Sequence, residues 1–128
     1  AFVSGLDAGR IYQTWPLMNN TYFPDDVSLV KFKDLIDFNN HGLVQFYHRN
    51  IAYIIVVYIL ITGFYVLKLK NNNLNKSFFL VSIILILQIA LGVTTLTSGL
   101  NIYLASAHQI SSLFLILSVI NLYYNYIN

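Results

Sequence analysis

The sequence contains no cysteine and no glutamate, and only 9% of its 128 residues are charged. Soluble globular domains carry about 25% charged residues. The lack of cysteine excludes disulfides, iron–sulfur clusters and thiolate ligation of haem, so any metal chemistry would depend on His, Asp, Tyr or Met. Seven Lys and Arg and five Asp cannot cover the surface of a soluble core. The composition therefore indicates that lipid surrounds most of this chain.

Three long apolar segments predict the fold, at residues 51–67, 78–97 and 102–127. Each has about the 20 residues that a helix needs to cross the hydrocarbon layer. We predict membrane-spanning helices at 48–69, 78–97 and 102–127. Residues 1–6 are also apolar and predict the end of a further membrane helix. The expected fold is an all-α integral membrane four-helix bundle, with three complete transmembrane helices and the tail of a fourth.

Residues 7–47 are polar and aromatic and predict a long loop, in which the apolar residues of 27–38 favour a short amphipathic helix in the interface. This loop carries all five Asp, whereas the turn with Lys68, Lys70 and Lys76 is purely basic. Lys and Arg concentrate on the cytoplasmic or matrix side of a membrane. The lysine turn is therefore predicted to lie inside and the long loop outside.

Two histidines fall at the same depth in this topology. His48 precedes the lysine turn by about 20 residues and His108 precedes the end of the chain by about 20, so each imidazole lies about 30 Å from the inner side at helical rise. Two imidazoles at one level are suited to the iron of a haem. Arg49 would then attract the haem propionates, and Gln45 and Gln109 would hydrogen-bond the ligands.

Other interpretations of the two histidines stay open at this point. They could lie at the interface and be satisfied by water and headgroups, or they could take part in a proton path. Zinc is less suited, because two His without Asp, Glu or Cys nearby complete only half of a tetrahedral site. His41 is expected at the surface, because Gly42 disfavours an earlier start of the helix. Gly63, Gly92 and Gly99 are expected at close helix contacts.

Several motifs resemble the second half of the heme A synthase family, in matching order and over nearly the whole chain. They are GLDAG at 5–9, TWPLM at 14–18, NHGLVQFYHR at 40–49, the segment 88–95, and AHQ at 107–109. The Gln-Phe-x-His-Arg and Ala-x-His-Gln pieces are the specific part of the resemblance.

The resemblance implies an eight-helix membrane enzyme of two similar four-helix halves, in a bacterial plasma membrane or the mitochondrial inner membrane. Such an enzyme oxidises a methyl group of its substrate haem O to the formyl group of haem A for cytochrome oxidase. The second half is expected to hold a haem b, with His48 and His108 as its iron ligands. The expected partners are haem O, lipid, the amino-terminal half of the same protein and cytochrome oxidase assembly factors, with no nucleic acid.

Gln45 departs from the family's first half, in which a Glu tied to substrate oxidation stands three residues before the ligand His. Gln cannot act as a general acid or base. Gln45 therefore favours the interpretation that this chain is the half that holds the cofactor haem, and no catalytic residue is assigned. A half-length protein that pairs with itself remains an alternative within the family. The rival functions are a cytochrome b-type electron carrier and a transporter or assembly subunit without haem.

Overall fold

The computed structural model describes residues 8–27 and 36–128, which contain helices, turns and one isolated β-bridge between Met18 and Thr21. A short 3-10 helix, Ala8–Arg10, is followed by α1 (His41–Lys68), α2 (Asn72–Thr97) and α3 (Ile102–Ile127). All three α-helices are long and apolar enough to cross a membrane, which confirms the predicted all-helical, multi-pass membrane architecture. The helix end predicted at 1–6 and most of the amphipathic helix predicted within 27–38 lie outside the described residues.

Each long helix begins after an asparagine. The side chains of Asn40, Asn71 and Asn101 accept hydrogen bonds from backbone N–H groups in the first turns of α1, α2 and α3, respectively. The first N–H groups of a helix have no partner within the helix, and a short polar side chain at the cap supplies one. The three asparagines therefore fix where the membrane helices start.

These caps correct two predicted boundaries. Helix α1 begins at His41 rather than at residue 48, and α2 begins at Asn72 rather than at residue 78. Gly42 does not break α1, because it serves close packing: a Cβ added there would lie 2.5 Å from Oδ1 of Asp26. With 28 residues, α1 is about 42 Å long and exceeds the ~30 Å of hydrocarbon. We call the end of the bundle with Lys68 and Lys70 its inner end, after the predicted orientation, and the opposite end its outer end.

The apolar core of the described residues lies toward the inner end of the bundle. A cluster of buried side chains joins the three helices: Ile59 and Val66 of α1, Leu74, Val81 and Leu85 of α2, and Leu122 of α3. Val56, Phe78 and Leu115 pack against it. This cluster stops about 12 Å below His48 on α1 and about 10 Å below His108 on α3, at 1.5 Å per residue. The histidine level is therefore outside the apolar core.

Polar side chains join α2 and α3 near their inner ends. Ser77 is buried, and its Oγ accepts hydrogen bonds from Nδ2 of Asn121 at 3.2 Å and of Asn125 at 2.9 Å. Hydrogen bonds between membrane helices contribute on the order of 0.6 kcal/mol each. Together with the packing of the two helices along their length, they make α2 and α3 a hairpin to which α1 is added.

The predicted close contacts at Gly63 and Gly92 are confirmed. A Cβ on Gly63 would overlap the Phe78 ring of α2, and a Cβ on Gly92 would lie 3.0 Å from Cε1 of His108 on α3. The prediction for Gly99 is wrong: the nearest atom to its added Cβ is Oε1 of Gln13 at 3.8 Å, and its φ is +71°. Gly99 serves the turn between α2 and α3, because glycine adopts this left-handed conformation without strain.

We expect Gly63→Ala to lower the stability of the bundle by about 1–3 kcal/mol, because the added methyl group overlaps the Phe78 ring. Thermal unfolding in detergent would measure the loss. The double variant Gly63→Ala/Phe78→Leu is the matched control and should recover part of it, because the smaller side chain makes room for the methyl group. Strictly additive effects of the two changes would contradict this contact.

Candidate haem-ligand site

One face of the outer end of α1 is covered by the long loop. Gly42 packs against Asp26, and the Phe46 ring meets those of Tyr22 and Phe23 edge-on, with centroids 5.6 and 5.1 Å apart. The Tyr22 hydroxyl donates to Oδ1 of Asn50 at 2.5 Å. Positions 42, 46, 49 and 50 fall on one side of a helix at about 100° per residue. The loop therefore follows one stripe of α1.

Arg49 and Gln45 bind the backbone of this loop. The Nη1 atom of Arg49 donates to the carbonyls of Pro16 and Leu17 at 3.3 and 3.2 Å, and Nη2 donates to those of Tyr12 and Thr14 at 3.3 and 2.9 Å. Nε2 of Gln45 adds a bond of 2.7 Å to the Tyr12 carbonyl. Arg49 is 9% exposed and Gln45 2%. These buried side chains satisfy loop carbonyls that are turned toward the helix.

The Tyr12 side chain fixes a second point of the loop. Its hydroxyl donates to Oδ1 of Asp26 at 2.5 Å. Burial, and then the bond to Asp26, raise the pKa of the Tyr12 phenol above its usual value of 10.0. The phenol therefore stays protonated, and remains a hydrogen-bond donor, throughout the physiological pH range.

The same loop also reaches the opposite side of the bundle. A Cβ on Gly9 would lie 2.7 Å from Cδ2 of Leu100, which stands in the turn between α2 and α3. The segment therefore touches both α1 and the α2–α3 hairpin at their outer ends. The two predicted ligands, His48 on α1 and His108 on α3, lie just below this level.

The His48 side chain is exposed and is not on the face of α1 that the loop covers. At about 100° per residue it points some 100° away from Arg49 and 160° away from Phe46. His48 and His108 are 60 positions apart in the sequence and stand on different helices, α1 and α3.

The ring of His108, in contrast, is held by α2. Its Nδ1 atom lies 3.1 Å from the backbone carbonyl oxygen of Gln88, and its edge rests over Gly92. A carbonyl oxygen only accepts, so Nδ1 carries the proton and Nε2 keeps its lone pair in the neutral ring. One turn further along α3, the Ser111 hydroxyl bonds to Oε1 of the same Gln88.

The two histidines stand at similar distances from the apolar cluster. His48 precedes Val56 on α1 by 8 residues, and His108 precedes Leu115 on α3 by 7. These counts correspond to about 12 and 10 Å of helix. Because α1 and α3 run in the same direction across the membrane, the imidazoles lie near one level on the outer side.

The remaining predicted site residues occupy different surroundings. Gln109 is exposed, and its backbone carbonyl accepts from Ser112 at 2.6 Å. Gln45 and all four Nη hydrogens of Arg49 are engaged with the loop, which leaves Nε of Arg49 and Oε1 of Gln45 buried and without a described partner. His41 is the first residue of α1, two turns before His48.

Sequence reasoning missed Gln88 and Ser111 as partners of a predicted ligand and its helix. Gln88 is an amide in the middle of an apolar membrane helix, and Gly92 follows it by one turn. Polar groups within membrane helices usually face a partner in the bundle. An amide within an apolar helix, followed one turn later by a glycine, was the sequence feature that could have predicted this contact.

Among residues 8–27 and 36–128, no group of three or more His, Asp or similar side chains is placed to hold a metal ion by itself. A haem needs fewer protein ligands, because its porphyrin supplies four nitrogens and the protein supplies the axial positions. The His108 imidazole, whose Nδ1 faces a carbonyl oxygen, presents its Nε2 as such a donor. His48 and His108 therefore fit a haem better than a bare ion.

We expect Arg49→Lys to release the loop from α1, because a Lys ammonium cannot reach four carbonyls with the planar geometry of a guanidinium. Loss of two such charged hydrogen bonds would cost about 3 kcal/mol locally. Hydrogen exchange at residues 12–18, followed by mass spectrometry, should become at least tenfold faster. The matched control is Arg10→Lys at an exposed arginine. Equal exchange in both variants would contradict the anchoring role of Arg49.

Comparisons with known proteins agree with the motifs of the sequence. A family model described as cytochrome oxidase assembly protein matches residues 1–120. The chain is similar to proteins named heme A synthase from Pelagibacter ubique, at 44% identity over 92% of the chain, and from Rickettsia bellii, at 38% over 94%. A heme A synthase from Rickettsia africae is 32% identical over 97% of the chain.

The chain spans only about a third of the length of these curated relatives, from 34 to 36%. No solved structure matches it. The family match nevertheless covers far more than half of the chain and includes both histidine motifs. This chain therefore belongs to the family of cytochrome oxidase assembly proteins, within which it is similar to the heme A synthases.

Proposed function

We propose that this chain is the carboxy-terminal, haem-binding part of a heme A synthase, an oxidoreductase that converts haem O to haem A for cytochrome oxidase. In this proposal, His48 and His108 are the axial ligands of a haem b. The observation that carries it is the state of the His108 ring, whose Nδ1 is bound to the Gln88 carbonyl while Nε2 is left to coordinate. Histidines that ligate metals commonly use their second nitrogen in this way.

The environment of the two rings supports a haem rather than a hydrated ion. The apolar cluster ends below the histidines, and the loop bound to Arg49 lies above them. A porphyrin is largely apolar and carries two propionates that favour a cation and water at the membrane edge. When bound between two imidazoles, a haem supplies one-electron transfer at low spin.

Arg49 would contribute charge to this site more than hydrogen bonds. All four of its described acceptors are uncharged carbonyl oxygens, so its positive charge is not cancelled by them. A buried cation one residue from a ligand histidine would attract haem propionates at close range. Its Nε is buried and has no described partner.

This part of the protein would relay electrons rather than perform the oxidation. Gln45 stands where the resemblance places a Glu in the family's first half, and its amide, which cannot act as a general acid or base, is bound to the Tyr12 carbonyl. We propose that the substrate haem O binds in the amino-terminal half, in a bacterial plasma membrane or a mitochondrial inner membrane.

Replacing His48 or His108 by Ala should abolish the low-spin, bis-His absorption bands of the full-length purified protein. His41→Ala is the matched control, because His41 lies two turns from His48 on the same helix and should leave the bands intact. An optical spectrum with haem extraction would measure both. Bands that survive His108→Ala but are lost with His41→Ala would refute the assignment.

The enzymatic part of the proposal needs a separate experiment. The full-length protein, expressed in cells that make haem O but lack heme A synthase, should give rise to haem A, identified by its mass after extraction. Bis-His bands without haem A would indicate an electron-carrying cytochrome b. A colourless protein would indicate a subunit without haem.

A further inference from the structure

The contact between His108 and α2 is more specific than ordinary helix packing. The Gln88 carbonyl that meets the imidazole at 3.1 Å belongs to a helix, in which the N–H of the residue four positions later normally binds that same oxygen. That later residue is Gly92, which has no side chain to shield the carbonyl. We call the Gln88 carbonyl together with the bare backbone of Gly92 the imidazole seat.

The seat is tight for a larger residue at position 92. A Cβ built on Gly92 would lie 3.0, 3.4 and 3.6 Å from Cε1, Nδ1 and Nε2 of His108. A methyl group there would press the ring away from α2 by a few tenths of an ångström. Glycine at this position therefore allows the close approach of the ring to the carbonyl.

A second link holds α3 at the same height on α2. The Ser111 hydroxyl bonds to the side-chain Oε1 of Gln88, while the His108 ring binds the backbone oxygen of the same residue. The Ser111 Oγ also lies 3.0 Å from the His108 carbonyl oxygen. His108 and Ser111 therefore engage a single residue of α2, which fixes both the height and the rotation of α3 near the ring.

The two histidines differ in this respect. No hydrogen bond joins the His48 ring to another residue of the described ranges, and its side chain is exposed. A ligand whose second nitrogen donates to a carbonyl is more basic and more firmly oriented than one without such a partner. The His108 ring is thus fixed by α2, whereas no hydrogen bond within the described residues fixes the His48 ring.

We propose that the imidazole seat is a positioning device that makes His108 the stronger and pre-oriented of the two haem ligands, with Gly92 as the positioning residue. This inference rests on the haem binding proposed above. It assigns to Gly92 a role in tuning the bound haem, beyond its role in bringing two helices close together. A more basic axial ligand favours the oxidised iron, so the seat lowers the reduction potential.

The test is Gly92→Ala in the full-length protein with haem bound. The low-spin bands should persist, because both histidines remain. The reduction potential should rise, the largest g value in the electron paramagnetic resonance spectrum should shift, and haem should be lost about tenfold more readily. The matched control, Ala90→Val, adds volume at an exposed position of the same helix and should change none of these. A potential and g values equal to those of the unchanged protein would overturn the proposal.

A second measurement does not depend on the variant or on bound haem. In protein labelled with 15N-histidine, the shifts of His108 should report a ring protonated at Nδ1 and bare at Nε2, and its Nδ1–H should exchange with solvent more slowly than that of His48. A bare Nδ1 or equally fast exchange would overturn the seat. If these signals are as expected but the full-length protein never takes up haem, the seat stands and the haem proposal fails.

Discussion

A backbone polar group that approaches hydrocarbon must find a partner within the protein, since an unsatisfied one costs several kcal/mol. Within the three long helices, the backbone groups bond to one another, and the asparagine caps accept hydrogen bonds from N–H groups of the first turns. The outer loop cannot meet this constraint alone. The loop depends on Arg49, because one guanidinium donates hydrogen bonds to the carbonyls of four loop residues.

The position of Arg49 links loop structure to ligand geometry. Adjacent residues on a helix point about 100° apart, so a loop fixed to Arg49 leaves the neighbouring His48 on an uncovered face. On the other side of the bundle, Gly92 brings the His108 ring against the backbone of α2. The two histidines therefore depend on different contacts. Arg49 fixes the loop beside His48, and Gly92 allows the His108 ring to approach α2.

The three membrane helices could be predicted from the sequence, because the length of each apolar segment carries that information directly. The start of α1 could not, since Gly42 was interpreted as a helix breaker although Asn40 caps the helix before it. The partners of Arg49 could not be predicted either. They are backbone carbonyls 32 to 37 positions away, and every residue has a carbonyl whatever its side chain. Features that depend on side-chain type could be predicted from the sequence, whereas contacts to backbone atoms could not.

The inner location of the apolar cluster has a mechanical consequence. Helix α1 is joined to the α2–α3 hairpin by side chains from Val56 to Val66, whereas His48 stands about 16 Å beyond Ile59 at helical rise. Near the histidines, α1 is connected to the hairpin through the loop, which is bound to Arg49 on α1 and contacts Leu100 in the turn between α2 and α3. The distance between the two imidazoles therefore depends on the loop rather than on the apolar cluster, and a change in the loop would alter the ligand spacing while the inner packing stays intact.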